Sequence, residues 1–428
     1  MQTLNSLALL KQIFLPRHLW TLGVAGLLGV FICSDLSPVS IPLSQFKDTR
    51  SLSERVFSHE HSLWLKDQDK RVSALFKVKE PMRDLVGFWF FVYTKLTSDQ
   101  VVLYHRDRPT EIYEILDYGP LRQSSRNAVV YEILRERDLK KKLAYYRNVN
   151  VRVQTGQRDY VEAAIKRSRP FLASIKNIFK ELEVPEELIA ISFVESSFNP
   201  KAHSRSGARG VWQFMQSSGA EFLWIDKRDG IDERLSTLKS SVAAARLLLR
   251  NLAIAGSWPL AVTAYHHGYR GFNKLSAQDL SDTESGEFFS ASHPAGRKTL
   301  GYASRNYFAE FVAMVHVLAY SNEIFSEGFH KDSLVTSGDF FRSKRVTTGI
   351  GLARSLGVSF KELNSVNPDI LSSKSRIPAG FVYQGLGGTQ DLRAEELAKA
   401  LIRVIRWQPS HRRNERRYAK NFGVFNEG

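Results

Sequence analysis

A single carboxyl at the end of an apolar run is where chemistry is first to be expected in this sequence. Leu188 to Val194 is apolar except for Ser192, and Glu195 ends the run. Glu195 lies seven residues after Leu188 and four after Ile191, so on a helix its carboxylate projects from the face those residues share. A helix apolar on all sides is normally buried. A carboxyl there is partly desolvated, which disfavours its ionised form and raises its pKa. Such a group can keep a proton near neutral pH and give it to a leaving glycosidic oxygen, the task of a glycosidase general acid. Taken alone, Glu195 reads more simply as a capping or salt-bridged glutamate at a helix end.

Other chemistry-bearing residues are weaker candidates. His266 and His267 are adjacent, and neighbours on a helix rarely point the same way; no acidic partner sits at ligand spacing, so no metal site is expected. Asp232, Glu233 and Arg234 read as a surface ion pair, with a second, hydrolytic carboxylate there left open. The one cysteine, Cys33, permits neither an intrachain disulfide nor a cysteine-based metal site. Phe88 to Tyr93, FWFFVY, reads as a buried packing element rather than a sugar-stacking platform.

The elements that must position Glu195 are helical. From Asp159 apolar residues recur at i, i+3, i+4 spacing through Val161, Ile165, Leu172, Ile175, Phe179 and Leu182, which predicts a long amphipathic helix, kinked near Pro170. Pro185 suits the first turn of a second helix, the one that carries Glu195. Pro200 and Gly207 to Gly210 must then break the helix and return the chain. Further helices are predicted over Thr237 to Leu252 and Tyr307 to Tyr320, and the Ser, Gly and Asp content between Gly271 and Gly301 predicts a mobile surface loop. From Asp339 to Gly385 the pattern is strand, helix Gly349 to Leu356, helix Phe360 to Val366, strand Phe381 to Tyr383. This is a compact βααβ unit, followed by an amphipathic helix through Leu397, Leu401, Val404 and Ile405 and a basic run through Arg412 and Lys420.

The segment ESSFNPKAHSRSGARGVWQFM, Glu195 to Met215, resembles the first motif of the lytic transglycosylases of the goose-type-lysozyme superfamily, matching nearly every position. AVTAYHHG, Ala261 to Gly268, is similar to that family's Ala-Tyr-Asn-x-Gly element, and SRNYFAEFVA, Ser304 to Ala313, to its Glu-Thr-x-x-Tyr-Val element. Two positions depart: His266 replaces the usual Asn, and Ala303 stands where the family commonly has Glu. The resemblance implies a mainly α, lysozyme-like catalytic domain that cleaves the MurNAc-GlcNAc bond of peptidoglycan, with Glu195 as acid and then base and no cofactor. It also implies that Tyr265 holds Glu195 by its hydroxyl, that Ser204 and Gln213 hydrogen-bond the N-acetyl sugar, and that Tyr307 lines the same groove. The βααβ unit looks like a degenerate LysM module, a fold that binds N-acetylglucosamine chains.

The 428 residues exceed what one core usually organises. The expected order is residues 1–34 as signal peptide or membrane anchor and 35–150 as a helical region of unassigned function. Residues 151–330 would be the lysozyme-like domain, 331–390 the LysM-like module and 391–428 a basic helical tail. Lys11, Arg17 and His18 precede the apolar Leu19 to Cys33, the order of a secretory signal, so a periplasmic or envelope location is expected, with membrane attachment through this segment open. A net charge of +16 suits a polyanion; no nucleic-acid module is recognisable, and peptidoglycan glycan strands are the expected partner. Two alternatives remain at this stage: a lysozyme-type hydrolase using the same Glu195, and a noncatalytic peptidoglycan-binding protein.

Overall fold

The computed structural model describes residues 70–386 except 126, 147–149, 269–271, 273–274, 291–292 and 326–339, together with 39–41, 399 and 401–402. The apolar segment with Cys33 and the basic run through Arg412 and Lys420 lie outside these residues. The described chain is mainly α, with few and small sheets.

Strand β1 (Val39–Ile41) precedes helix α1 (Arg83–Thr94), which contains the FWFFVY run and buries Phe88 to Tyr93. The aromatic run is thus a packing element, as its apolar density suggested. Strands β2 (Gln100–His105) and β3 (Arg108–Asp117) form a hairpin, followed by helix α2 (Ala128–Tyr145) and strand β4 (Val151–Thr155). Together they make an antiparallel sheet in the order β1-β3-β2-β4. Alternation along β2 places Val102 and Tyr104 in the main core and turns Val101 and Leu103 towards Tyr131 and Leu139 of α2. Strand β4 pairs with β2 from Val101↔Thr155 to His105↔Val151, so the sheet spans the position at which the sequence suggested a boundary.

The amphipathic stripe becomes helix α3 (Arg158–Glu181), burying Val161, Ile165, Ile175, Ile178 and Phe179 and accommodating Pro170 within it. Asp159 in its first turn accepts from the backbone N–H and hydroxyl of Ser98, each at 2.7 Å, and so ties α3 to the turn before β2. A 3-10 turn, Glu186–Ile189, leads into helix α4 (Ala190–Ser196), which ends on Glu195 and Ser196. After the short strands β5 (Ile225–Asp226) and β6 (Ile231–Asp232) come helix α5 (Thr237–Ala255), closed by Gly256 at φ +79, and α6 (Trp258–His267), capped by the Ser257 hydroxyl.

The loop expected between Gly271 and Gly301 is corrected by the structure. Helix α7 (Ala277–Ser285) starts in a capping box of Ser276 and Asp279, and α8 (Pro294–Thr299) follows. The turn between them buries Phe288 and Phe289, the latter 4.7 Å from Phe308. The Ser and Asp content that suggested mobility supplies helix caps. Helix α9 (Tyr302–Ala319) is buried over most of its length, between α1 and the helices around Glu195. Trp89 of α1 donates to Asn306 at 3.4 Å across that contact.

The C-terminal unit comprises β7 (Phe340–Arg342), β8 (Thr347–Thr348), α10 (Gly349–Ser355), α11 (Phe360–Val366), β9 (Arg376–Ile377) and β10 (Val382–Gln384). The outer strands β7 and β10 pair, as do the inner β8 and β9, around a small core of Leu352, Leu363, Ile370, Ile377 and Phe381. Ile231 of β6 belongs to that core. Backbone bonds from Asp232 to Asp369 (2.9 Å), Leu371 to Gly230 (3.0 Å) and Arg376 to Asp229 (2.8 Å) join it to the preceding residues.

Candidate active site

Glu195 owes its position to the abrupt end of α4. Ser197 and Phe198 both adopt left-handed backbone, at φ +50 and +51, which turns the chain back immediately beyond the carboxyl. Such conformations cost about 1–3 kcal/mol each in a non-glycine residue and persist only where neighbours enforce them. Arg167 of α3 does so, donating to the carbonyls of Ser197 (2.6 Å) and Phe198 (3.3 Å). Phe198 is buried against Phe193 and Phe171. The Ser196 hydroxyl donates to the carbonyl of Val211 at 2.8 Å, tying α4 to the loop that follows.

That loop, Lys201 to Met215, folds back on itself through paired bridges at Arg209 with His203 and Phe214. Trp212 pins it: the fully buried ring stacks on Phe179 at 5.8 Å and its indole N–H donates to Ser241 at 2.9 Å. At Gly210, φ is +75, and a Cβ would stand 1.9 Å from the Arg234 carbonyl, so only glycine fits. Ser204 is buried in this loop, its hydroxyl accepting from the Ala208 N–H and meeting Ser206, both at 2.9 Å. Gln213, also left-handed at φ +48, donates from Nε2 to the Gly210 carbonyl at 2.9 Å.

The two tyrosines meet different partners. The Tyr307 hydroxyl donates to Oε1 of Glu195 at 2.8 Å, whereas that of Tyr265 donates to the Trp212 carbonyl at 2.8 Å. Tyr265 therefore holds the loop, and Tyr307, reaching across from α9, holds the carboxylate. Burial and then the Glu195 charge push the pKa of each far above the usual phenol value, so both hydroxyls remain donors. His266 stacks on Tyr307, ring centres 4.6 Å apart, and burial, then neighbouring His267, push its pKa down. His267 turns the other way, to Ser304 at 2.9 Å. Ala303 is exposed at the first turn of α9.

The surface ion pair expected at Asp232, Glu233 and Arg234 is corrected: all three are buried. Arg234 grips Asp232 through two nitrogens, both at 2.8 Å, and donates to the carbonyls of Gly207 and Phe214, so this network shapes the loop. Glu233 accepts from Lys239 at 3.2 Å, and Lys239 donates to Asp369 at 2.6 Å and to the Val382 carbonyl. Arginine and lysine thus occupy these carboxylates. The second carboxyl near Glu195 is instead Glu310, which sequence reasoning passed over. Burial and then the Glu195 charge push it up to about 8. The signal that singled out Glu195, a lone carboxyl in an apolar helical run, was equally present in Tyr307 to Val317.

Among the described residues no group of three or more His, Cys, Asp or Glu is placed to hold a metal ion. Chemically the site offers a half-buried carboxyl, a tyrosine donor that fixes one of its oxygens, and a loop tied down by Trp212 and Arg234.

Residues 174–285 match the model of the Transglycosylase SLT domain family. Glu195, Ser204, Gln213 and Tyr265 lie inside the match; Tyr307 and Glu310 lie beyond it. Membrane-bound lytic murein transglycosylase D of Escherichia coli K12, and the same-named protein of Escherichia coli O6:H1 strain CFT073, are each 30% identical to the chain over 142 residues. That is 33% of this chain and 31% of either relative, so the similarity spans under a third of the curated relatives' length. Residues 174–285 thus match the Transglycosylase SLT domain family, and over 142 residues the chain is similar to lytic murein transglycosylases.

Proposed function

We propose that the chain is a peptidoglycan lytic transglycosylase of the cell envelope, cleaving the MurNAc-GlcNAc β-1,4 bond and leaving 1,6-anhydromuramyl ends. The observation that carries this reading is the Tyr307–Glu195 contact of 2.8 Å at the end of an SLT-matching helix, which presents one fixed carboxyl over a preformed loop. Glu195 protonates the leaving glycosidic oxygen; as carboxylate it then removes the proton from the muramyl C6 hydroxyl, whose oxygen closes on C1. Because the nucleophile is part of the substrate, the step gains the effective-molarity advantage of an intramolecular reaction. Tyr307 orients Glu195, Tyr265 keeps the loop in place, and Ser204 and Gln213 form the part of that loop on which the N-acetyl sugar rests. The C-terminal unit is read as a degenerate LysM-like module that adds glycan contact.

Membrane attachment through the N-terminal segment belongs to the same proposal; among the described residues no single helix is long and apolar enough to cross a membrane. Mass spectrometry of fragments released from purified sacculi tests the reading: anhydromuropeptides are expected from the wild type. Glu195→Gln should lower their release at least about 100-fold, the usual worth of a general acid and base. Reducing muramyl ends would mark a hydrolase instead, and undiminished release by Glu195→Gln would remove Glu195 from the reaction.

A further inference from the structure

Three arginines gather where α9 begins. Tyr302, the first residue of that helix, has the Arg152 guanidinium of β4 at 4.5 Å from its ring centre and that of Arg106, from the β2–β3 turn, at 5.6 Å. The Tyr104 and Tyr302 hydroxyls meet at 2.9 Å, which fixes the sheet against the helix. Arg305 follows Tyr302 by three residues and shares its face. It is only 8% exposed, yet its Nε meets no hydrogen-bond partner and its Nη1 reaches the Ser290 carbonyl only at 3.5 Å. Burial disfavours its charge, Asp107 of the β2–β3 turn favours it, and Arg297 of α8 and Arg106 oppose it. No side chain caps α9 at Gly301, its first turn holds no acidic residue, and Ala303, exposed there, adds no charge. A helix start of this kind attracts anions through its N–H groups. Guanidiniums crowded beside it repel one another, and a buried one short of partners costs stability, unless an anion lies among them.

We propose that this cluster is a subsite for a free carboxylate of the peptide branch that the muramyl residue carries, with Arg305 and Arg106 as its donors. The identity of the ligand rests on the proposed function; the anion-binding character of the cluster does not. Tyr302 precedes Tyr307 by five residues, about 7.5 Å along the helix at about 1.5 Å per residue. Tyr307 in turn is bonded to Glu195 at 2.8 Å. Two residues of extended peptide span about 7 Å, so a branch leaving a muramyl ring at Glu195 reaches the arginines with its second or third residue. The end of α6 joins the two places: His266 stacks on Tyr307, and His267 meets Ser304 at 2.9 Å. A guanidinium holds a carboxylate through two parallel N–H···O bonds, a fork that lysine lacks. Arg106 and Arg152 precede the SLT match and Arg305 follows it, so the N-terminal sheet gains a task, which is to present cations to the substrate's peptide. No bond is made or broken there; the contact holds the strand while its glycan lies over Glu195.

Titration calorimetry of the full chain tests this with two probes. One is GlcNAc-MurNAc-tetrapeptide, which contains no MurNAc-GlcNAc bond to cleave, and the other is the same molecule with its peptide carboxyls amidated. The wild type should bind the acid probe at least about tenfold more tightly, the scale of one charge-assisted hydrogen bond. Arg305→Gln and Arg106→Gln should each lose most of that preference while binding the amidated probe as the wild type does, and Arg305→Lys should keep part of it. Equal affinity for the two probes, no binding of either at millimolar concentration, or a preference that survives both glutamine variants overturns the proposal. Tighter binding of inorganic phosphate than of the acid probe would assign the cluster to a phosphate and overturn it too. If Arg305→Gln does not fold, Arg106→Gln, on an exposed turn, decides. On peptide-bearing strands the variants should raise KM more than they lower kcat; the reverse counts against the subsite. Acid-dependent binding by a wild type that releases no anhydromuropeptide would sustain the subsite and sink the functional reading, and release without acid preference would do the opposite.

Discussion

The hydrogen bond from Tyr307 to Glu195 joins a charged acceptor to a buried donor, and bonds of that kind contribute about 1.5–3 kcal/mol. Tyr307→Phe keeps the ring that stacks on His266 and removes only the hydroxyl. It should lower kcat for anhydromuropeptide release roughly tenfold to a hundredfold on that energy, with less change in KM. Tyr265→Phe frees the Trp212 carbonyl instead and should act through the loop, lowering stability by about 1 kcal/mol in urea titrations along with activity. At this scale Glu195 was legible because a motif surrounds it. The partner of each tyrosine was not, since Tyr265 and Tyr307 both lie far along the chain from α4 and only packing decides which hydroxyl meets the carboxyl. Glu310 was passed over for a related reason: it stands within the Ser304 to Ala313 segment but beyond the Tyr307 position on which the resemblance rests, and the charge of Glu195 reaches it only once α9 crosses α4.

The elements around the site tolerate little change in backbone. Gly210→Ala would set a methyl 1.9 Å from the Arg234 carbonyl at a left-handed φ, and should cost about 3 kcal/mol or more, read as a fall in the urea midpoint. The long helix α3, helix α5 and the strand-helix-helix-strand order near the C-terminus were legible from periodicity and turn residues, because one buried face dictates each pattern. Residues 271–301 were misread because Ser, Asp and Gly serve caps as readily as loops. Only the burial of Phe288 and Phe289 against Phe308 distinguishes the two outcomes. The ion pairs at Asp232 to Arg234 looked superficial for the same reason: the residues that cover them come from the loop before and the unit after.

At the scale of the whole molecule, the buried bases His316 and Lys239 each contribute to stability in a testable way. His316 is pushed down to about 3 by burial, although its bond to the Phe76 carbonyl opposes this, so it stays neutral in the fold. The unfolded chain takes up a proton there as the pH falls below 6.5, so this contribution is intact above that value and is lost as acidity increases towards 3. Urea titrations of His316→Gln should show a pH slope smaller than wild type by up to about 1.4 kcal/mol per unit in that window. For Lys239, burial disfavours the charge, but Asp369 and Glu233 outweigh it and hold the pKa above the usual lysine range. Lys239→Met would strand two buried carboxylates and should cost about 3–5 kcal/mol by urea denaturation.

The same lysine bears on how such a protein can be inherited. Its nitrogen is shared between Glu233, a neighbour in the SLT domain, and Asp369 and Val382, more than a hundred positions downstream. A genetic exchange with its crossover anywhere between codons 239 and 369 would join a cation from one parent to an anion pattern from the other. Recombinants without an acidic residue at 369 would leave Lys239 with Glu233 alone and should be less stable, so exchange of the two segments is expected to be selected against.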